Sequence, residues 1–262
     1  MNRFVVAALL CAAAQAHAQS SSDEIAKYRA MLADGNPAEL WEAKGEGLWK
    51  KARGPKQASL EKCDLGKGPG VVKGAFAELP RFFSDTDRVQ DLESRLVTCM
   101  QDLQGFNAAE IVKTSFGKGE QVTLESLVAY VSSESNGMKF SVPQAHPQER
   151  DMYEAGKRIF QFRAGPYDFS CASCHGLEGK RIRLQDLPDL TTARGAGDAF
   201  GAWPAYRVSN GQLWSMQHRL NDCFRQQRFP APGFISDATI ALGVYLGVTA
   251  KGAESIAPAI KR

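Results

Sequence analysis

The chain has 262 residues, 44% hydrophobic and 23% charged, with 24 Gly, 12 Pro and 6 Cys. This composition excludes a disordered or collagen-like chain, and the length suits one large domain or two small ones. Lys+Arg number 32 against 29 Asp+Glu, a net charge of +3 with no basic block, which argues against nucleic acid as a partner.

Met1–Ala18 read as a cleavable secretory signal. Arg3 precedes the apolar run Phe4–Ala14, which is too short to span a bilayer. Ala16-His17-Ala18 then places small residues where a signal peptidase reads them. Cys11 follows Leu10, where lipoprotein processing requires a small side chain, so no lipid anchor is expected. No further apolar run suggests a membrane span. The mature chain is expected to begin at Gln19 in the periplasm, an oxidising compartment in which every sulfur needs an account. Those that remain are Cys63, Cys99, Cys171, Cys174 and Cys223, with His146, His175 and His218 beside them.

Ser170-Cys171-Ala172-Ser173-Cys174-His175 contains C-x-x-C-H, the attachment motif of a c-type haem. The two thiols form thioethers with the porphyrin, and the following His is held under the iron as an axial ligand. A redox dithiol would follow a β-branched strand, and none precedes Cys171. Half of a zinc site would need further Cys or His close by, and none follows for some forty residues. One covalently bound haem c is therefore expected. Upstream, Tyr153–Phe160 has helical apolar spacing, with Gly156 placed for a close helix contact.

The two halves of the chain repeat. Gly45-Glu-Gly-Leu48-Trp49 matches Gly156-Lys-Arg-Ile159-Phe160, and the same interval separates Gly45 from Cys63 and Gly156 from Cys174. Ala75-Phe76 through Pro80 matches Ala199-Phe200 through Pro204. Arg95-Leu96-Val-Thr-Cys99 matches Arg219-Leu220-Asn-Asp-Cys223, again at an equal interval from the proline. Apolar stretches with a Tyr, Leu124–Val131 and Ile240–Val248, close the two halves. The second half is longer, its extra residues falling in Lys180–Asp198, expected to be a loop. A mostly α protein of two tandem cytochrome c-like domains follows, 19–145 and 146–262, with Pro143 and His146-Pro147 at the boundary. In this register Leu60 and Asp64 replace the first thiol and the His of the motif, so the first domain should hold no haem. Cys63 and Cys99 then lie around an emptied pocket, and a Cys63–Cys99 disulfide is expected; its loop would contribute roughly 3–4 kcal/mol by chain entropy.

The sixth iron position is open to Met216, His218 or Cys223 on these grounds. Met216 suits an electron carrier or plain core packing. Arg219 and Cys223 recur in both halves and, on a helix, share one face; the guanidinium should favour the Cys223 thiolate.

The chain resembles the A subunits of the Sox thiosulfate-oxidation system, haem-bearing subunits of the SoxAX cytochromes. The resemblance rests on Cys171-Ala-Ser-Cys174-His175, on Ala202-Trp203-Pro204-Ala205-Tyr206-Arg207 and on Arg219-Leu-Asn-Asp-Cys223, and covers the whole mature chain. It implies that Cys223 is the distal iron ligand and the catalytic residue, carried as a persulfide, and that Arg219 binds the anionic substrate. It implies thiosulfotransferase activity, in which thiosulfate is joined to a cysteine of a SoxYZ-like carrier and electrons pass to a SoxX-like small cytochrome. Leu60 and Asp64 place the chain with the single-haem members. The rival functions are an electron-transfer cytochrome, a thiosulfate dehydrogenase forming tetrathionate, and a non-catalytic assembly subunit. Arg207, Arg225 and Arg228 are candidates for a positive mouth, Trp203 and Trp214 for haem or core packing, and Lys251–Arg262 for a channel rim or a frayed tail.

Overall fold

The computed structural model describes residues 35–182 and 185–261. The signal reading and Cys11 lie outside them. Residues Ala38–Arg262 pack as one compact unit, built mostly of helices. Helix α1 (Ala38–Lys50) leads to the β1–β2 hairpin (Arg81–Phe83, Arg88–Gln90), then α2 (Leu92–Cys99), α3 (Ala108–Lys113) and α4 (Gly119–Ser133). The second run comprises α5 (Pro147–Gln161), the short α6 (Cys171–His175), the two-residue strands β3 (Arg181–Ile182) and β4 (Gln185–Asp186), and α7 (Ala193–Phe200). The β5–β6 hairpin (Ala205–Arg207, Gln212–Trp214), α8 (Met216–Gln226), α9 (Asp237–Thr249) and β7 (Ala259–Lys261) complete it.

The repeat seen in the sequence is repeated in space. Helix α1 crosses α4 where a Cβ on Gly45 would lie 2.0 Å from the Ser126 carbonyl oxygen; α5 crosses α9 where one on Gly156 would lie 2.0 Å from that of Ala241. Only glycine lets the backbones approach so closely. One turn on, Trp49 meets Tyr130 at 6.1 Å between ring centroids, and Phe160 meets Tyr245 at 5.1 Å. A cis proline follows in each run, Pro80 and Pro204. The hairpins then share one register: Arg81 pairs Gln90 and Phe83 pairs Arg88, as Ala205 pairs Trp214 and Arg207 pairs Gln212. Between the runs, Phe140 packs edge-on against both Phe76 and Phe200, themselves equivalent residues, in one continuous apolar core.

Cys63 and Cys99 form the expected disulfide, with Cα atoms 5.6 Å apart. Other expectations need correction. Lys180–Asp198 is not simply a loop: it holds the β3–β4 pair and the start of α7, whose first turn Thr192 caps. The tail does not fray, because β7 pairs in parallel with β5. His146 is not mere linker. It caps α5, with its N–H donating to Glu149, and stacks on Phe82 at 3.7 Å. The hairpins themselves were not expected, because three-residue strands are too short to show alternation.

Asp91 and Glu93 are buried carboxyls at the start of α2. Asp91 accepts from Ser94 N–H and Oγ and, across the two runs, from Gln217 Nε2 at 2.5 Å. Burial, then the neighbouring Asp91 charge, pushes Glu93 up to about 8, so Glu93 keeps its proton at neutral pH. A carboxyl raised on folding binds more protons folded than unfolded, so its stabilising contribution is full at acid pH and is lost as pH rises towards 8. Unfolding free energies from urea titrations should therefore fall between pH 5 and 8, by up to about 1.4 kcal/mol per pH unit, and Glu93→Gln should flatten that slope. Separately, Gly156→Ala should destabilise the chain by about 2 kcal/mol or more, measured by urea unfolding, because the new methyl meets backbone.

Candidate functional site

The site assembles from α6, the β5–β6 hairpin and α8. Ser170 caps α6 through a capping box with Ser173, which starts the single helical turn that carries Cys171, Cys174 and His175. The ring Nδ1 of His175 lies 3.0 Å from the Pro188 carbonyl oxygen. A carbonyl only accepts, so Nδ1 carries the proton and Nε2 keeps a free lone pair. Burial holds the ring below the usual histidine range, neutral at pH 7, the state a metal ligand needs.

Cys171, Cys174 and Cys223 are free, half-buried thiols. Burial, and then the nearby Cys223 thiol, push Cys171 up to about 12. Leu220 and Phe224 of α8 and Phe234 after it pack, like Cys171, against the main apolar core. Two free thiols with two residues between them, followed by a neutral imidazole with an oriented ring, fit a thioether-linked haem. Among the described residues no group of three or more His, Cys, Asp or Glu is placed to hold a bare metal ion.

Helix α8 starts at Ser215, whose hydroxyl accepts from His218 N–H. Arg219 and Cys223 stand one turn apart on it. Arg219 favours the Cys223 thiolate as expected, but it does not decide the balance. Burial raises the thiol more than Arg219 lowers it, because desolvation acts fully on the sulfur while the guanidinium is partly solvated. Arg219 donates to Asp222 at 2.9 Å, and its side chain remains 27% exposed. Its counterpart Arg95 is 5% exposed and bound to Asp85, Gln90 and the Asp64 carbonyl.

His218 is removed from the list of iron ligands by its own contacts. Its Nδ1 is 2.8 Å from Glu125 Oε1, and its ring stacks on Trp214 at 4.1 Å and Phe116 at 4.4 Å. Met216 packs with Trp203 and Trp214, a core role. The three arginines of the suggested mouth separate: Arg225 pairs with Asp222, Arg228 lies over Tyr167, and Arg207 alone feels both Arg219 and Cys223. Sequence reasoning missed Asp222, which holds Arg219, Arg225 and Gln226 together. Its position one residue before Cys223 was the available signal.

The description "SoxA/TsdA, cytochrome c domain" belongs to the family model that matches residues 44–140, the run without C-x-x-C-H. The chain is 56% identical over 238 residues to the L-cysteine S-thiosulfotransferase subunit SoxA of Hydrogenophilus thermoluteolus, covering 91% of this chain and 87% of that one. It is 34% identical over 251 residues to a SoxA of Hydrogenobacter thermophilus, covering 94% and 92%. The crystal structure of SoxXA from P. pantotrophus shares the fold, with a TM-score of 0.75 at 24% identity over 90% of this chain and 84% of that one.

His218→Ala should lower stability by about 1–3 kcal/mol in urea unfolding, since it deletes two ring contacts and leaves the buried Glu125 unpartnered. The His218 ring is engaged by Glu125, Phe116 and Trp214, so the same variant should retain the wild-type absorption spectrum.

Proposed function

The chain belongs to the SoxA family of L-cysteine S-thiosulfotransferase subunits, and we propose that residues 146–262 form its catalytic, haem-bearing domain while 19–145 form a haem-less cytochrome c-like domain. Cys171 and Cys174 carry one haem c, His175 and Cys223 ligate its iron, and Arg219 binds thiosulfate. Bound there, the haem supplies a one-electron acceptor for the oxidation. The protein acts in the periplasm, exported by residues 1–18, and no helix among the described residues is long and apolar enough to cross a membrane.

The observation that carries this reading is the contrast between the two arginines. Arg95 is saturated by protein acceptors, whereas Arg219 stays partly exposed one turn before a free thiol. A guanidinium with open donors beside a sulfur is suited to a small sulfur oxyanion, which it holds by charge-assisted hydrogen bonds. Asp222 keeps Arg219 in place and must yield one of its contacts when the dianion enters. The terminal sulfur of thiosulfate then bonds to the outer sulfur of the Cys223 persulfide as two electrons leave, and the carrier thiolate attacks the sulfane sulfur, breaking that bond, so that the S-sulfonate passes to the carrier and the persulfide is restored. In the net reaction the carrier thiol loses its proton, a bond forms between its sulfur and the sulfane sulfur of thiosulfate, and two electrons leave. A SoxX-like cytochrome takes electrons onward, which a single one-electron centre requires. The carrier is SoxYZ-like.

Loading of the carrier cysteine, followed by intact mass, tests this. Arg219→Ala should reduce turnover about ten- to a hundred-fold with the haem spectrum intact. Cys223→Met should keep a covalent haem and abolish loading. A Cys223→Met complex that still loads the carrier would remove Cys223 from the mechanism.

A further inference from the structure

Two buried donors beside the site have no acceptor. Arg207 Nε and Trp214 Nε1 are both buried without a hydrogen-bond partner. They occupy diagonal positions on the β5–β6 hairpin, Arg207 opposite Gln212 and Trp214 opposite Ala205, so both side chains leave the same face. The Arg207 guanidinium lies 5.3 Å from the Trp214 ring centroid. The carboxylate in this region, Asp222, is bonded to Arg219, Arg225 and Gln226 instead. Arg207 thus stands beside a second guanidinium with no carboxylate bonded to it; burial and Arg219 work against its charge more than Asp222 and Cys223 support it.

The first run shows how the same framework is satisfied from within. In the shared hairpin register, Phe83 stands where Arg207 does, Asp85 where Ser209 does and Gln90 where Trp214 does. Arg95, the counterpart of Arg219, lies 4.1 Å from the Phe83 ring centroid. It donates to Asp85 at 2.9 Å, to Gln90 at 3.3 Å and to the Asp64 carbonyl at 2.6 Å. The second run replaces both side-chain acceptors and exchanges the phenyl ring for a cation. What was one guanidinium with two side-chain acceptors has become two guanidiniums and an indole N–H around the carboxylate of Asp222, already bonded to Arg219, Arg225 and Gln226. That donor excess is matched only by an anion from outside the chain.

We propose that Arg207 Nε and the Trp214 indole N–H donate to an oxyanion bound beside Arg219, which makes Arg207 the second guanidinium of the site. Two oxyanions have the required chemistry: thiosulfate itself, a case that rests on the function proposed above, and a carboxylate arm of the haem.

The purified haem-loaded chain and its Arg207→Gln, Arg207→Lys and Trp214→Phe variants distinguish them. Two quantities are measured: thiosulfate affinity by calorimetry, and the haem midpoint potential as a function of pH. With thiosulfate as the oxyanion, Arg207→Gln weakens affinity about ten- to a hundred-fold, Trp214→Phe several-fold and Arg207→Lys less than Gln, at unchanged potential. With the haem carboxylate, affinity holds while the potential and its pH dependence shift in both Arg207→Gln and Trp214→Phe. Wild-type affinity and wild-type potential in those two variants would overturn the proposal. Should Arg207→Gln fail to incorporate haem, Arg207→Lys and Trp214→Phe carry the comparison alone. A haem-loaded wild-type chain that never loads a carrier cysteine would end the transferase reading and leave this test standing.

Discussion

Helix α8 is tied at its first turns to the half of the chain that lacks the haem motif. Gln217 Nε2 donates to the buried Asp91, and Gln217 Oε1 accepts from Ile235 N–H. The next residue, His218, binds Glu125 on α4 and is clasped between Phe116 and Trp214. Arg219 and Cys223 follow on the same rigid element. The direction of both side chains is thus set by buried carboxyls in the other run, where low polarity makes each hydrogen bond stiff and its loss expensive. A half without the C-x-x-C-H motif kept as a scaffold for the helix that carries Arg219 and Cys223 is physically sensible on this ground.

Duplication preserved the geometry and changed the electrostatics. Two helix pairs meet through glycine over a carbonyl, two hairpins share a register, and two arginines stand one turn before two cysteines. In the first run Arg95 is answered internally and Cys99 is closed into a disulfide with Cys63. In the second the cysteine is free and the cations outnumber their acceptors. A closed framework of this kind gives rigidity. The open copy stores an unmet demand for an anion, which is the property a binding site needs.

Much of this was legible in residue order. The C-x-x-C-H run, the repeat intervals and the Cys63–Cys99 pairing depend on residue identity and spacing, and the last is found as expected. Other features were not legible. Met216, His218 and Cys223 all lie on one short helix, and spacing alone leaves them equal; contacts from Glu125 and Phe116, remote in the chain, take His218 out. Arg219 favours the Cys223 thiolate as residue order suggests, yet burial outweighs it, and burial is a property of the packed molecule.

The sequence alone determined that this chain repeats internally, is mostly helical and carries one complete C-x-x-C-H motif, because motif spacing and helix period are local and survive without a partner. Only the tertiary structure decided which charges remain unanswered. Arg95 and Arg219 are identical letters in near-identical contexts, and what separates them is whether Asp85 and Gln90 or Ser209 and Trp214 come to face them across the hairpin. Electrostatic satisfaction is a sum over neighbours in space, and chain order does not contain that sum.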